Sequence, residues 1–326
     1  MAENEVIFYN FPKEEKPSAK KIINFSFGKA TKLFVLDSIL VVKNAKYTVK
    51  NHFFYLYNLK SKNLIDTLLK LGSDQNEVLD PFSCGIYQNW LWAYDITTMK
   101  IVMQPLFRDL KGIKKAKEYS LKTLNYSVQL IDSSQIFING NYDRAAKVQK
   151  IDIATNNIVK EFGEYEKAPK NVNVTSWRNA NESFLFLQPQ HKMLVSAARF
   201  TDKVEIFDLN FFTSKIISGP ENYAPEFDGV KFNDSYFTIQ RNKNTRFSFV
   251  NGCVTDSYIY LLYSGNNHMS KHKDYGKTIF VYDWNGKPVK KITLPSYISC
   301  FAVNDDREAY IYDVNDGWIK KVNLNL

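Results

Sequence analysis

Aspartate recurs along this chain in a pattern that could assemble a ring of carboxylates. An aromatic or aliphatic residue is followed by Asp or Asn at six places, namely Asn58, Asp95, Asp152, Asp208, Asp283 and Asp313. Each copy precedes a short polar turn and a further apolar segment. Because Asp and Asn side chains accept hydrogen bonds from turn amides about two residues ahead, we interpret these residues as turn-forming rather than catalytic.

The histidines give little evidence for a metal centre. The chain has four histidines, His52, His191, His268 and His272. None belongs to a His-Glu-x-x-His arrangement, which would place two ligands on one helix face. His268 and His272 are four residues apart, but both lie in a polar insertion, residues 265–276, between two strand-like segments. We therefore predict a loop there, with no metal site and no cofactor.

Nucleophilic catalysis has no recognisable sequence signature. No Gly-x-Ser-x-Gly elbow occurs, and the Ser264-Gly265 pair is typical of a tight turn at a strand end. Cys84, Cys253 and Cys300 lie in apolar segments at spacings unlike any zinc or redox motif. We predict buried free thiols and assign no catalytic residue. The alternative, if the protein is exported, is one disulfide bond between two of these cysteines.

Arginine at strand ends is the remaining candidate for ligand recognition. The candidate residues, all at or near strand ends, are Arg199, Arg241, Arg246 and Tyr263. If the fold brings them together, the arginines would suit an anionic group or a peptide carboxylate. The alternative for each arginine alone is a surface ion pair.

The composition favours strands as the elements that position these residues. Of the 326 residues, 44% are hydrophobic and 15% aromatic, and apolar residues alternate with polar ones over short runs. The net charge of +9 includes basic clusters at 16–21 and 111–117, which carry no nucleic-acid motif, so no nucleic-acid partner is predicted. No apolar stretch approaches the ~20 residues of a membrane-spanning helix. The start, Met-Ala-Glu-Asn-Glu, has no signal-peptide pattern.

The repeat spacing predicts an all-β, six-bladed β-propeller over residues 1–326 as a single domain. The Asp and Asn positions are separated by 37, 57, 56, 75 and 30 residues, around the ~40 to 50 of a four-stranded blade. We interpret the last, short interval as an incomplete final blade. An N-terminal strand, Val6–Tyr9, would join that blade and close the ring. The best helical candidate is an insertion at about 106–118.

Apolar segments mark the strands of each expected blade. In chain order they are 33–36, 39–42 and 53–57 for blade 1, 90–94 for blade 2, 135–138 for blade 3, 184–187 and 193–196 for blade 4, 258–263 and 278–282 for blade 5, and 309–312 for blade 6.

Three segments resemble the TolB-like six-bladed propeller proteins of Bacteroides and relatives. The turn Gly72–Val78 resembles the glycine-rich turn, with a Glu, that closes the family's first blade, although its second Gly and its Pro are missing. Asp256–Gly265 resembles the family's Tyr-Ser-Gly strand end, and Ile279–Val289 resembles the hairpin after it. The resemblance implies a six-bladed fold and an exported or lipoprotein precursor. It implies no established reaction.

These observations predict a non-enzymatic binding propeller of the bacterial cell envelope, exported and anchored in its full-length form. Its partner would be a protein, a small molecule or a carbohydrate bound by loops at one end of the channel. The alternative is a metal-assisted hydrolase or lactonase of the propeller type, which requires at least three Asp, Glu or Asn side chains pointing into one channel mouth. A weaker third hypothesis is a scaffold for an acidic partner.

Overall fold

The computed structural model describes residues 5–107, 115–188, 190–231 and 237–325. One helix, α1 (Val174–Ala180), accompanies the strands. In chain order the strands are β1 (Glu5–Ile7), β2 (Glu14–Glu15), β3 (Ala19–Asn24), β4 (Ala30–Leu36), β5 (Ile39–Asn44), β6 (His52–Asn58), β7 (Leu64–Lys70), β8 (Pro81–Tyr87), β9 (Trp90–Asp95), β10 (Lys100–Pro105), β11 (Lys117–Ser120), β12 (Ser127–Leu130), β13 (Gln135–Asn139), β14 (Ala146–Asp152), β15 (Ile158–Glu164), β16 (Ser183–Gln188), β17 (Met193–Ala198), β18 (Lys203–Asp208), β19 (Thr213–Ser218), β20 (Asp228–Lys231), β21 (Phe237–Gln240), β22 (Phe249–Val254), β23 (Tyr258–Tyr263), β24 (Gly276–Asp283), β25 (Pro288–Asn304), β26 (Glu308–Asp313) and β27 (Trp318–Asn323).

The strands form the blades of a propeller. Blades 1 to 4 are the antiparallel sets β4–β7, β8–β11, β12–β15 and β16–β19. Blade 5 contains β22, β23, β24 and the first part of β25, which pairs with β24. The second part of β25 is the innermost strand of blade 6, followed by β26, β27 and β3. The apolar segments predicted for each blade all form strands of that blade, so the propeller prediction is confirmed.

The apolar core lies between the blades. Among the described residues it divides into six clusters, and each cluster joins two adjacent blades. One of them packs Tyr310 and Ile319 of blade 6 against Leu40 and Tyr55 of blade 1. Because sheet faces with alternating apolar residues bury them only against a neighbouring sheet, each blade depends on both of its neighbours.

The repeated Asp and Asn residues shape turns, as predicted. Asp95 Oδ1 accepts hydrogen bonds from the amides of Thr97 and Thr98 at 2.9 and 3.4 Å. Asp208 and Asp313 each accept the amide two residues ahead, at 2.8 and 2.9 Å. Each of these carboxylates is bound to the amides of its own turn, so they do not assemble into a common carboxylate ring.

The uneven repeat spacing has a different cause from the one inferred above. The Asp or Asn ends the third strand in blades 1, 3, 4 and 5, but Asp95 and Asp313 end the second strand, β9 in blade 2 and β26 in blade 6. The 30-residue interval from Asp283 to Asp313 is short because Asp283 ends the third strand of blade 5, whereas Asp313 ends the second strand of blade 6. The 75-residue interval contains the β20–β21 hairpin, inserted between blades 4 and 5.

The prediction that Val6–Tyr9 joins the last blade was wrong. Residues 5–7 form β1, which pairs in parallel with β19 at the outer edge of blade 4. The strand beside β27 in blade 6 is β3, with Ile23 opposite Ile319. Ile23 is 4% exposed within the cluster between blades 6 and 1, and this burial selects β3 over the earlier segment.

The N-terminal segment, residues 5–24, runs along three blades and is called the strap below. Its β1 lies on blade 4, β2 pairs in parallel with β25 in blade 5, and β3 completes blade 6. Between β1 and β2, Phe8 and Phe11 enter the core between blades 4 and 5. The Phe11 ring lies 4.8 Å from that of Phe280, and Phe8 lies 6.0 Å from Tyr282. The strap therefore holds blades 4, 5 and 6 together from outside.

The predicted helical insertion at 106–118 was wrong where the structure describes it. Residues 108–114 lie outside the described residues, and Lys117–Ser120 forms β11 at the edge of blade 2. Helix α1 lies in the connection between blades 3 and 4, and the Asn173 side chain caps its first amides. No helix in the described ranges is long and apolar enough to cross a membrane.

We expect Phe11→Ala to lower the free energy of unfolding by about 3 kcal/mol, because a large ring that is 9% exposed leaves a cavity between two blades. Tyr9→Ala is the matched control, since Tyr9 is 69% exposed and its loss should cost less than about 0.5 kcal/mol. Denaturation in guanidinium chloride measures both. Equal losses in the two variants would contradict the role of the strap.

Acid should release β1 from blade 4. The Ser218 hydroxyl donates a 2.6 Å hydrogen bond to Glu5 and, aided by Lys203 and opposed by burial, lowers the pKa of Glu5 below its ordinary 4.5. The resulting stabilisation is complete above the unfolded-state pKa and is lost as pH falls through the lower folded-state pKa. The stability difference between wild type and Glu5→Gln should therefore be largest above about pH 4.5 and shrink in acid. A difference that stays constant down to about pH 2 would contradict this account.

Candidate functional site

All four predicted ligand-binding residues lie on one face of the ring. We call this the upper face, defined by the loops between second and third strands and by the connections from each blade to the next. Arg199 lies in the β17–β18 loop of blade 4, and Tyr263 ends β23 of blade 5. Arg241 and Arg246 lie in the connection from β19 to β22. The structure divides them into two pairs.

Arg199 is enclosed by aromatic rings. Its guanidinium carbon lies 5.2 to 5.9 Å from four ring centroids, those of Tyr126, Phe184, Phe200 and Phe247. The side chain is 17% exposed. A cation over an aromatic face is attracted by the ring quadrupole, more strongly when water is excluded. This enclosure fixes Arg199 rigidly beneath the surface.

Two carboxylates and a phenol compensate the charge of Arg199. Its Nη1 donates to Glu182 Oε1 at 3.1 Å and to the Tyr126 hydroxyl at 2.5 Å, while Nη2 lies 3.5 Å from Asp274. Burial alone would lower the pKa of Arg199, but these three neighbours outweigh burial and raise it above its ordinary value. Arg199 is therefore a structural anchor, and little of its charge is available to a ligand.

Arg241 and Lys273 share the aromatic rings that hold Arg199. The guanidinium of Arg241 lies 5.3 Å from Phe200 and 5.7 Å from Phe247, and Lys273 Nζ lies 6.0 Å from Phe247. His268 stacks on Phe247 with an interplanar angle of 11°. We call these residues, with Arg199, the Phe247 cluster.

The Phe247 cluster carries positive charge that the protein does not neutralise. Arg241 is exposed and Lys273 is half-buried. Within the described part of the chain, neither has a carboxylate at ion-pair distance, whereas Arg199 has two. The cluster thus presents two cations above a buried aromatic floor, in which Phe200 and Phe247 are 2% and 1% exposed.

An aromatic row lies beside the cluster. Phe82 at the start of β8, Tyr126 before β12 and Phe184 at the start of β16 follow one another at 5.3 and 5.6 Å between ring centroids. They belong to the innermost strands of blades 2, 3 and 4 or directly precede them. The Phe82 ring is 36% exposed and gives the upper face an apolar contact.

Arg246 and Tyr263 form a separate network with Glu221. The Tyr263 hydroxyl donates to Glu221 Oε1 at 2.6 Å, and Arg246 Nη2 donates to the Tyr263 oxygen at 3.1 Å and to Glu221 Oε2. The Arg246 guanidinium lies 4.1 Å from the Tyr223 ring, and the Tyr263 ring stacks on Phe280. Burial raises the pKa of Tyr263, and Glu221 raises it further. These groups satisfy one another and stabilise the fold.

The sequence analysis did not identify the aromatic members of the site. Phe200 and Phe247 each directly follow an arginine, in Arg199-Phe200 and Arg246-Phe247. This repeated Arg-Phe pair is a signal that could have indicated a cation–aromatic cluster. Lys273 had no distinguishing signal, because it lies in a polar loop among other lysines.

The histidine pair lies in a loop, as predicted, and each ring stacks on an aromatic residue. His272 lies 3.9 Å from Tyr297 with an interplanar angle of 14°, while His268 lies on Phe247. Among the described residues, no group of three His, Cys, Asp or Glu could hold a metal ion. Ser264 Oγ donates to the His272 carbonyl at 3.3 Å and shapes the loop.

The three cysteines are free, but only Cys300 is fully buried. Cys84 in β8 and Cys253 in β22 are half-buried, contrary to the prediction. Burial raises the pKa of Cys253 and of Cys300 to about 12. These thiols are therefore protonated at neutral pH and poor nucleophiles.

A lysine links the innermost strands of blades 1 and 5. Lys32 Nζ donates to Asn251 Oδ1 at 2.9 Å and to the Gly252 carbonyl at 2.6 Å. Asn251 Nδ2 in turn donates to the carbonyls of Thr31 and Ser299, both at 3.0 Å. Burial lowers the pKa of Lys32. These contacts fasten blades 5, 6 and 1 around the channel.

The fold and the sequence together identify the family. The family model described as TolB-like 6-blade propeller-like matches residues 11–306. The chain belongs to the TolB-like six-bladed propeller family. In this TolB-like chain, Gly72 of the blade-closing turn lies against the Glu77 side chain, and a Cβ there, 1.8 Å from Glu77 Oε2, would require that carboxylate to move. Glu77 also pairs with Lys70 at 2.6 Å.

Solved structures share this fold at low sequence identity. A putative exported protein from Bacteroides fragilis has a TM-score of 0.58 at 12% identity, covering 99% of this chain and 100% of that one. A member of the DUF4221 family from Bacteroides vulgatus has a TM-score of 0.55 at 9% identity, covering 95% and 96%. A search of curated proteins found no match. These likenesses establish the fold only.

We expect Lys273→Gln to raise the pKa of His268. Burial lowers this pKa below its ordinary 6.5, and the positive charges of Lys273 and Arg241 lower it further, against a smaller opposing effect of Asp274. Removing one positive charge favours the imidazolium ion. Lys271→Gln is the matched control, because Lys271 acts on His272 and not on His268. Titration by NMR measures both histidines, and a His268 pKa unchanged by Lys273→Gln would place Lys273 away from the cluster.

Proposed function

We propose that this TolB-like propeller is a non-enzymatic binding module whose ligand offers an anionic group, such as a peptide carboxylate, to Arg241 and Lys273. One observation carries the proposal. Two cations lie over the same buried ring, Phe247, without a carboxylate partner among the described residues, whereas Arg199 beside them is fully compensated.

The geometry favours recognition of a carboxylate. Arg241 offers parallel N–H donors that match the two oxygens of a carboxylate, and Lys273 adds a point charge. Contact with Phe247 restricts both side chains before binding, so less conformational entropy is lost when a ligand binds. Arg199 holds the aromatic floor in place.

The aromatic row extends the site toward the channel. Phe82 has an exposed ring next to Tyr126, and Tyr126 lies beside Phe184. Such a surface suits an apolar side chain or the face of a sugar ring adjoining the anionic group. The ligand class is thus an acidic peptide end or an acidic carbohydrate.

We place the full-length protein in the bacterial cell envelope, exported and anchored there. The support is the family membership, together with the similar fold of a protein described as exported. A metal-assisted hydrolase or lactonase requires clustered carboxylates at a channel mouth. We prefer the binding module because of the unneutralised cations in the Phe247 cluster.

The proposal predicts that a peptide with a free C-terminal carboxylate binds more tightly than its C-terminal amide. Calorimetry with acetyl-trialanine and its amide, and with trigalacturonate as the sugar acid, measures the difference. Arg241→Ala should weaken binding of the acid at least tenfold, because a charge-assisted hydrogen bond contributes ~1.5 to 3 kcal/mol. Binding should also weaken as salt rises.

Arg144→Ala is the matched control, since Arg144 lies in blade 3 and already pairs with Glu161 at 3.1 Å. It should leave binding unchanged. Equal affinity for acid and amide, or no binding of any acidic probe, would overturn the proposal.

A further inference from the structure

A cavity of 270 Å³ lies on the outer side of blade 4, apart from the Phe247 cluster. Four chain segments that are distant in sequence line it: the strap, the β15–β16 connection, the β17–β18 loop and the chain after β19. A larger depression of 620 Å³ in blade 3 is shallow, and the Arg144–Glu161 pair already occupies its wall. The blade 4 cavity, by contrast, brings together polar groups that lack partners.

Three lining residues carry a buried polar atom with no hydrogen-bond partner in the protein. The atoms are Thr201 Oγ1, Asp202 Oδ1 and Asn222 Oδ1. Thr201 and Asp202 are 2% and 1% exposed. Buried polar groups in folded proteins almost always have partners. Three exceptions around one cavity therefore point to a ligand that supplies the missing bonds.

Asp202 is held in place and lacks a cation. Its Oδ2 accepts the amides of Glu221 and Asn222 at 2.7 and 2.9 Å, which fixes the carboxylate and leaves Oδ1 without a partner. The other acidic residues of the cavity, Glu5 and Glu166, both form ion pairs with Lys203. The distance from Lys203 Nζ to Glu5 Oε1 is 3.5 Å. The described residues provide no ion pair for Asp202. In a chain of net charge +9, this cavity has an excess of negative charge.

We propose that this cavity binds a small organic cation with a primary ammonium group. Its three N–H groups would bond to Asp202 Oδ1, Asn222 Oδ1 and Thr201 Oγ1. The rings of Trp177 and Tyr223 would contact its apolar part. At ~30 Å³ for each water-sized group, the cavity accommodates about nine non-hydrogen atoms. This site is independent of the anion site proposed above.

Phenethylammonium and 2-phenylethanol test the proposal, because they match in size and differ in charge. Calorimetry on the full chain should show the ammonium binding at least tenfold more tightly than the alcohol. Asp202→Asn keeps an oxygen for the two amides but removes the charge, so it should weaken ammonium binding at least tenfold and leave alcohol binding unchanged. Thr201→Val, which removes one acceptor and keeps the shape of the side chain, should weaken ammonium binding less and guards against misfolding of the first variant.

Asp283→Asn is the matched control, because it removes one carboxylate at a turn of blade 5, outside the cavity. It should leave ammonium binding unchanged. The proposal would be overturned by equal binding of both probes, by no binding of either, or by unchanged ammonium affinity in Asp202→Asn. Stabilisation by Ca²⁺ without stabilisation by the ammonium would also overturn it, as would a crystal structure grown with phenethylammonium that shows only water in the cavity.

Discussion

Closure of the ring is the constraint on which the rest of the molecule depends. Each blade buries its apolar residues against both neighbours, so the clusters between blades form a circle that needs every member. The C-terminal end supplies only three strands of blade 6, and β3 completes it. Without β3, blade 6 would expose the edge of β27 and lose the buried Ile23 beside blade 1. The strap then adds β1 and β2 to blades 4 and 5, where Phe8 and Phe11 close the core.

The ring of blades sets the geometry of the upper face. The short β17–β18 loop contributes residues to two different sites. Arg199 and Phe200 belong to the Phe247 cluster, while the next two residues, Thr201 and Asp202, line the blade 4 cavity. The loop thus separates a surface that carries unneutralised cations from a cavity with a carboxylate that lacks a cation. A rigid scaffold thus holds opposite charges apart, as the two proposed sites require.

Between these two regions lies a network that needs no ligand. Arg246, Glu221 and Tyr263 satisfy one another, and Arg246 also covers the ring of Tyr223, a wall of the cavity. Three arginines that lie at or near strand ends therefore have different roles. Arg199 is an anchor within aromatic rings, Arg246 is an internal ion-pair partner, and Arg241 is exposed with its charge available. The difference lies in which carboxylates the fold brings near each one.

The amino-acid sequence by itself determined the features that depend on local interactions. Alternating apolar residues specify strands, and Asp95 or Asp313 bonds to amides only two residues away, so the blades and their turns were predictable. Val6–Tyr9 and Ala19–Asn24 both have strand-like patterns, and only packing decided between them, through burial of Phe8 between blades 4 and 5 and of Ile23 between blades 6 and 1. The Phe247 cluster and the three unpartnered atoms around Asp202 likewise depended on tertiary structure. The cluster joins residues between Arg199 and Lys273, and the cavity joins the strap to the chain after β19, so charge compensation and burial are properties of the three-dimensional arrangement.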